Sequence, residues 1–530
     1  MLKQLRHFFI PAALACLAGC VTKTSDMDLY FQKVCIEGTP AQIRMAIEKG
    51  AQVNATEKDG TSPLMYAIQY NKHPESVAEL LKADAKVNVK DEEGRDALFL
   101  AIINHSEQRA EKVALLLKAG AKFNVWDKYG RTRLGYAVQE KDGHAIVKML
   151  IQAGADPNAR DDHGMTPLMW TNARDLEIVT TLLKAKAKIE AKDHDGRTPL
   201  MHMVASYCSP GCLAALLKAG ANINAMDNNG TTPLMDATSS NNPEILVALL
   251  QAGAKVDARD RNGTTVLMWA AARCGPDVLK LLIGAGADAT AKDHLGQTPL
   301  MWINGNEETG IVPLLIQAGN DVNAKNKNGE TALMMAMRPG ENHKVIKELL
   351  QAGADVSAQN KDGWTPLMWA CWYGKSEEII RALLLAGAKV NEKSQEGRTA
   401  LHLGFENGNF SSKTIEAILL AGVDVNVQDK NGRTPLMALL DSKKAGGLYL
   451  VPTLIKAGAD VKTRDNDGVT ALLLAAKKGD KETIKILLGA GAEIQAKDNH
   501  GKSVLDYAKQ NKEENREQLK SLLIQAEIKR

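Results

Sequence analysis

Leucine occurs fourteen times in one local setting, at Leu64, Leu98, Leu134, Leu168, Leu200, Leu234, Leu267, Leu300, Leu333, Leu367, Leu401, Leu436, Leu472 and Leu505. Two residues before each stands a Ser, Thr or Asp, and two before that a glycine, from Gly60 to Gly501, at intervals of 32 to 36 residues. A hydroxyl or carboxylate ahead of an apolar residue predicts a helix N-cap, because its oxygen can accept from the orphan amides of the first turn. Proline follows seven of these caps (Pro63, Pro167, Pro199, Pro233, Pro299, Pro366 and Pro435), in the one helical position where a missing N–H costs nothing. The leucine, with small apolar residues one turn later, marks the buried face of a short first helix.

A second apolar-periodic segment ends each unit in Leu-Leu-x-Ala-Gly-Ala. Twelve of fourteen such ends carry glycine at the left-handed capping position, the exceptions being Asp84 and Lys186. An extended Val-Asn-Ala-x-Asp stretch then leads to a D-x-x-G turn, where glycine supplies a positive φ. Helix, turn, helix and hairpin repeated at this period predict a stack of supersecondary units, with no central core and no single cleft.

The pattern D-x-x-G-x-T-P-L-M…L-L-x-A-G-A-x-V-N-A resembles the ankyrin repeat, from about residue 27 to residue 530. The resemblance implies an all-α fold with short hairpins, an ankyrin repeat solenoid of about 14 to 15 helix-turn-helix units. Residues 27–54 read as a partial N-terminal cap without a leading hairpin, and residues from about 501 to 530, rich in Lys and Glu, as a solvated C-terminal cap. Ankyrin proteins mostly bind other proteins through the hairpin tips and the first helices, so the resemblance implies a protein partner.

The start of the chain is different. Lys3 and Arg6 precede an apolar run from Phe8 to Leu17, too short to span a bilayer, and then Leu17-Ala18-Gly19-Cys20. This segment resembles a bacterial lipoprotein signal. The resemblance implies a signal peptide at 1–19, acylation of Cys20, a lipid-attached tether at 20–26, and an envelope location. Val21 in place of Asp implies sorting to the outer membrane, facing the periplasm. Several acyl chains anchor stably where one does not. A cytosolic or host-directed ankyrin effector is the alternative if this signal is accidental.

The formal charge is +3, and loss of Lys3 and Arg6 would leave +1, so the surface carries no electrostatic footprint for nucleic acid. Cys16 departs with the signal, leaving Cys35, Cys208, Cys212, Cys274 and Cys371 beside Cys20. Cys208-Ser-Pro-Gly-Cys212 falls between two helices, where an oxidising compartment could close a small disulfide; two free thiols are the equal alternative. One C-x₃-C pair with no second ligand pair does not make a zinc site.

The residue four past each cap is often aromatic: Tyr66, Tyr136, Trp170, Trp269, Trp302, Trp369 and Tyr507. Around Trp369 the same repeat adds Trp364, Trp372 and Tyr373. Interface hot spots are enriched in Trp and Tyr, so Trp364, Trp369, Trp372, Tyr373, Trp170, Trp269, Trp302, Tyr66 and Tyr136 are the candidate partner-binding residues, with ring-on-ring packing as the competing reading. Nine methionines directly follow the motif leucine, a slot that holds His402 in one repeat. They read as stacking residues, the alternative being metal or redox buffering, with Met201-His202-Met203 the one local cluster.

Asp193-His194-Asp195-Gly196 and Asp465-Asn466-Asp467-Gly468 resemble fragments of calcium loops without the bidentate Glu, and read as turns. His163, His194, His294 and His500 read as solvated tip residues. No phosphate-binding loop, nucleophile elbow or H-E-x-x-H is present, so no catalytic residue, metal or cofactor is expected. The predicted function is protein recognition as a scaffold, assembly or stabilising factor, or as an immunity-type inhibitor of a secreted toxin. Four stretches disturb the repeat between its two helices: Asn104–Lys112, Ile303–Pro313, Arg338–Lys344 and Leu439–Pro452.

Overall fold

The computed structural model describes residues 26–239, 242–303, 308–340, 342–442, 445–478, 480–509 and 520–525. The signal segment and Cys20 lie outside these residues, as do 510–519 and 526–530 of the C-terminal cap. The chain divides into two compact units, the first ending at Asn228 and the second beginning at Asn229.

Within each unit, first helices pack on first helices and second helices on second helices. In the first unit, Pro63–Tyr70 lies between Asp26–Glu37 and Ala97–Ile103, while Pro74–Lys82 packs on Pro40–Glu48. In the second unit, Pro366–Trp372, Ala400–Glu406 and Pro435–Asp441 follow one another in one row, with Glu377–Leu385 and Ser412–Leu420 in the other. The motif leucines are buried in every copy but the last, where Leu505 is exposed. Among the described residues there are isolated β-bridges and no extended strand. No described helix is long and apolar enough to cross a membrane.

The caps form as their chemistry dictates. Ser62 is extended (φ −99°, ψ 160°), accepts from Met65 N–H and is followed by Pro63 in the first helical position. The methionine register completes a reciprocal box. Sδ of Met65, Met169, Met268 and Met368 accepts the backbone N–H of the respective cap residue at 3.3 to 3.5 Å. In the repeat with histidine in that slot, His402 Nδ1 accepts from Thr399 N–H at 3.2 Å. Thioether and imidazole alternate because both are acceptors of similar reach, a variant of the capping box otherwise made by Glu or Gln. All nine methionines are 5 % exposed or less, which leaves no thioether of this register at the surface to capture a metal or meet an oxidant.

Left-handed glycines end the second helices, and Asp84 and Lys186 take the same conformation (φ 58° and 63°) at the two ends without glycine. The asparagine of Val-Asn-Ala ties successive repeats. Asn54 Nδ2 donates to Asp84 C=O at 3.0 Å and its Oδ1 accepts from Lys86 N–H at 2.7 Å. Asn88, Asn124, Asn391 and Asn426 repeat this pairing one unit further on.

The irregular connections between helices are also tied down. Asn104 Nδ2 reaches Ile68 C=O at 2.8 Å, and Lys112 Nζ donates to the carbonyls of Ile68 and Asn71 at 2.8 and 2.6 Å, satisfying the end of the preceding first helix. Lys112 is 1 % exposed, and burial pushes its pKa down to about 8. Lys375 Nζ donates to Gly340 C=O at 2.9 Å, in the connection that follows the helix Ala332–Ala336.

The described cysteines, Cys208 and Cys212 among them, are free, buried thiols. Tyr207 turns the chain in a left-handed conformation (φ 60°), and Cys212 then sits inside the helix Pro210–Lys218, fully buried. Burial pushes the Cys208 thiol up to about 11 and raises that of Cys212, which suppresses the thiolate that disulfide chemistry requires.

Candidate protein-recognition surface

The aromatic register four past the cap folds back onto its own turn. Trp170 Nε1 donates to Asp161 Oδ2 at 2.8 Å, Trp302 Nε1 to Asp293 Oδ2 at 3.2 Å, and the Tyr507 hydroxyl to Asp498 Oδ2 at 2.9 Å. Tyr136 bonds Asp127 and His202 bonds Asp193 in the same manner, each donor nine residues after its carboxylate. The other oxygen of each aspartate holds the turn: Asp161 Oδ1 accepts the N–H groups of His163 and Met165, both at 2.9 Å. Where the register carries Leu100, Arg95 Nε takes the free oxygen of Asp91 at 2.6 Å. This separation follows from geometry: the D-x-x-G turn, the cap and one helical turn bring residue nine back beside residue zero.

Tyr66, Tyr136, Trp170, Trp269, Trp302 and Trp369 are half-buried, and Tyr136, Trp170 and Trp302 clamp their turns with their polar edge. Burial, and for Tyr136 the neighbouring Asp127 carboxylate, push the phenols of Tyr66 and Tyr136 up to about 12. His202 is occupied by Asp193 at 2.7 Å and burial lowers its pKa, while Met201 and Met203 beside it are buried. The turn aspartates that resemble calcium ligands are likewise engaged: Asp465 Oδ1 accepts from Asp467 and Val469 N–H at 3.0 and 2.8 Å. His163, His194, His294 and His500 are exposed at the tips.

Trp369 breaks the rule. Its turn residue is Asn360, whose Oδ1 accepts from Asp362 and Trp364 N–H at 3.0 and 2.8 Å; the remaining amide nitrogen is a donor, and the Trp369 indole N–H is buried without a partner. Trp269 also lacks a partner for its N–H, and Arg273 lies 4.2 Å over its ring. Around Trp369, Trp364 packs at 5.2 Å from it and 5.6 Å from Trp372, and Tyr373 stacks on it at 5.5 Å. All four rings are half-buried. The Trp372 carbonyl is held by Asn407 and Asn409 at 2.7 and 2.6 Å.

The neighbouring repeats put ion pairs where this one puts rings. Glu330–Arg338 at 2.9 Å, Arg398–Glu406 at 3.1 Å and Arg433–Asp441 at 2.9 Å each join residues eight apart, as Trp364 and Trp372 are. One repeat thus carries an aromatic centre flanked by charged pairs, the composition of a protein interface with its polar rim.

Sequence reasoning passed over the most exposed tryptophan. Trp126 is 57 % exposed and Tyr129 52 %, both at one hairpin tip. The signal was present, since the residue before the turn acid is Lys, Arg or Gln in most copies and Trp here. The helical register of aromatics does not include this position, which lies along the tips.

Stacked helix pairs with half-buried rings on their first helices define, in each unit, a repeat module with a surface for contact with another macromolecule. The family described as ankyrin repeats (3 copies) matches residues 70–161, 108–193, 134–227, 168–260, 267–360, 300–394, 340–429 and 439–530, and the chain belongs to it. It is a protein–protein interaction scaffold, and proteins of this family are typically interaction modules and not enzymes. No curated protein matches the chain.

Proposed function

We propose that this chain is a lipid-anchored protein of the bacterial envelope that binds another protein through its first-helix row, with Trp364, Trp369, Trp372 and Tyr373 as the central contact. The observation that carries the contact is the replacement of an ion pair by a four-ring cluster in one repeat, between repeats that keep theirs. Three tryptophans in one repeat supply large contact area at low entropic cost, and the unpaired indole of Trp369 is a donor that a partner's approach can recruit. Outer-membrane anchoring facing the periplasm rests on Leu17-Ala18-Gly19-Cys20 and Val21.

A photo-crosslinking residue at Trp372, with a control at exposed Lys280 on the second-helix row, is expected to yield one discrete adduct from Trp372 alone in living cells. The adduct's identity separates an assembly factor for a resident protein from an inhibitor of an incoming toxin. Equal labelling from both positions would sink the assignment of this row as the binding face. Separately, Cys20→Ala is expected to abolish incorporation of labelled fatty acid and release the chain from the membrane fraction; a wild-type chain that takes up no label would refute the anchor.

A further inference from the structure

Arg131 follows the turn glycine of the Trp126 hairpin, and its guanidinium lies among three rings: 4.5 Å from the centroid of Trp170, 5.8 Å from Tyr136 and 5.9 Å from Tyr129. Its side chain makes no hydrogen bond or ion pair among the described residues, and Nε is buried without a partner. The carboxylates nearest in sequence are already used. Asp127 accepts from Tyr129 and Arg131 N–H with one oxygen and from the Tyr136 hydroxyl with the other, and Asp161 is taken by His163, Met165 and Trp170. Stacking on ring faces holds a guanidinium flat without consuming its N–H donors, so the terminal nitrogens keep the fork that fits a carboxylate. Arg131 and Trp170 line a shallow cleft with Met165, Pro167 and the Asp161 carboxylate, whose oxygens are held by His163, Met165 and Trp170.

The approach is open on one side. Elsewhere in this unit neighbouring tips are joined by a backbone bond, as Glu92 N–H to Asp59 C=O at 2.8 Å, Asp162 N–H to Tyr129 C=O at 3.2 Å and His194 N–H to His163 C=O at 3.0 Å. No such bond joins Lys128 N–H to Glu93 C=O. A methyl group built on Gly94 would meet nothing within 4 Å, whereas on Gly60 it would lie 2.9 Å from Asp91 Cα and on Gly130 2.7 Å from Asp162 N. The tip that carries exposed Trp126 and Tyr129 therefore stands away from the one before it, and Lys128 adds a second cation 5.0 Å from the Tyr129 ring.

We propose that Arg131 in its ring of Tyr129, Tyr136 and Trp170 receives an acidic side chain of a partner polypeptide, with an apolar neighbour of that residue settling on Trp126 and Tyr129. This rests on the reading of the chain as a protein-binding module and adds a second contact, in the first unit, to the cluster at Trp364–Tyr373. A guanidinium that is attracted by the Asp127 carboxylate without bonding to it, and is pre-oriented by aromatic rings, fits an anion, and the exposed indole and phenol fit apolar surface.

The test is selection of a phage-displayed random dodecapeptide library on the full chain, with the enriched sequences remade as synthetic peptides. The expected peptides carry Asp or Glu beside an apolar residue. Their binding should fall about tenfold or more on Asp→Asn or Glu→Gln exchange in the peptide and on Arg131→Gln in the protein, with Arg131→Lys intermediate because it keeps charge and loses the fork. Binding should also weaken as salt rises. The peptide exchange needs no protein variant, so it decides even if Arg131→Gln perturbs the tip. Enriched peptides without an acid, or binding unmoved by either exchange, would overturn the Arg131 site. If those peptides depend instead on Trp372→Ala, the proposed function stands without Arg131; if no enriched peptide depends on either residue, both readings fall.

Discussion

Asp96→Ala is expected to destabilise its part of the first unit by about 3 to 5 kcal/mol, more than the loss of any Ser or Thr cap in the chain. Asp96 caps Phe99 N–H at 2.8 Å and also meets Arg133 Nη2 of the next repeat at 2.6 Å. Both side chains are buried, Asp96 3 % and Arg133 2 % exposed, and Arg133 lies 5.1 Å over the Phe99 ring with its Nε already unpartnered. Removing the carboxylate therefore strands a guanidinium in the stack, which costs far more than an exposed pair of the same geometry.

The other repeats supply the control. Where this pair sits, they carry a Ser or Thr cap followed by Pro or a small apolar residue, as Thr166-Pro167 and Thr198-Pro199 do. Arg133 N–H makes no backbone hydrogen bond, and Thr132 is extended (φ −90°, ψ 167°), so proline fits at 133. Asp96→Thr with Arg133→Pro should then return to within about 1 kcal/mol of the parent, because a buried pair exchanged for well-packed neutral residues is often neutral. Hydrogen exchange resolved by repeat is the measurement, since a repeat array loses stability locally and a single melting curve averages it. A double variant as unstable as Asp96→Ala would show that the pair contributes through more than its own charges.

Gly404→Ala is expected to destabilise the second unit by about 1 to 3 kcal/mol, although alanine is the better helix former by about 1 kcal/mol. Gly404 lies inside the helix Ala400–Glu406, in a slot that holds alanine in most repeats, such as Ala67, Ala270 and Ala370. A Cβ there would fall 2.1 to 2.6 Å from the ring atoms of Phe410, which is 7 % exposed and packs edge-on to Phe405 at 5.1 Å. The ring has taken the space of the missing methyl group. Phe410→Leu should therefore destabilise the parent but partly rescue Gly404→Ala, a coupling that thermal and exchange measurements on the four chains would reveal. Additive effects would mean that the two residues do not share the space.

The repeat itself was legible because each signal is local. A cap must lie next to the helix it caps, a left-handed glycine must end the helix before it, and a leucine at fixed offset from both must face the row behind. Fourteen copies made each rule visible many times over. The methionine slot predicts packing, and its residues are buried; its role as acceptor for the cap N–H is not legible in the sequence, because Met and His share an acceptor and little else in composition.

The candidate surface was legible only as residue types. The sequence placed the aromatics in one register and grouped four of them in one repeat, but not that most of the polar donors in that register turn inward to a carboxylate nine residues back, nor that Trp369 has no such acceptor because Asn360 replaces it. Amino-acid order by itself determined the units, their caps, their period and the two non-glycine helix ends at Asp84 and Lys186, all of which depend on bonds closed within a few residues. Tertiary structure alone decided the Asp96–Arg133 pair, the Gly404–Phe410 fit, the stand-off of the Trp126 hairpin and the unclaimed fork of Arg131. The Gly404–Phe410 fit closes within one repeat through side-chain packing, and the others depend on what the repeat some 30 residues away places against them, a contact made across the stack and written nowhere along the chain.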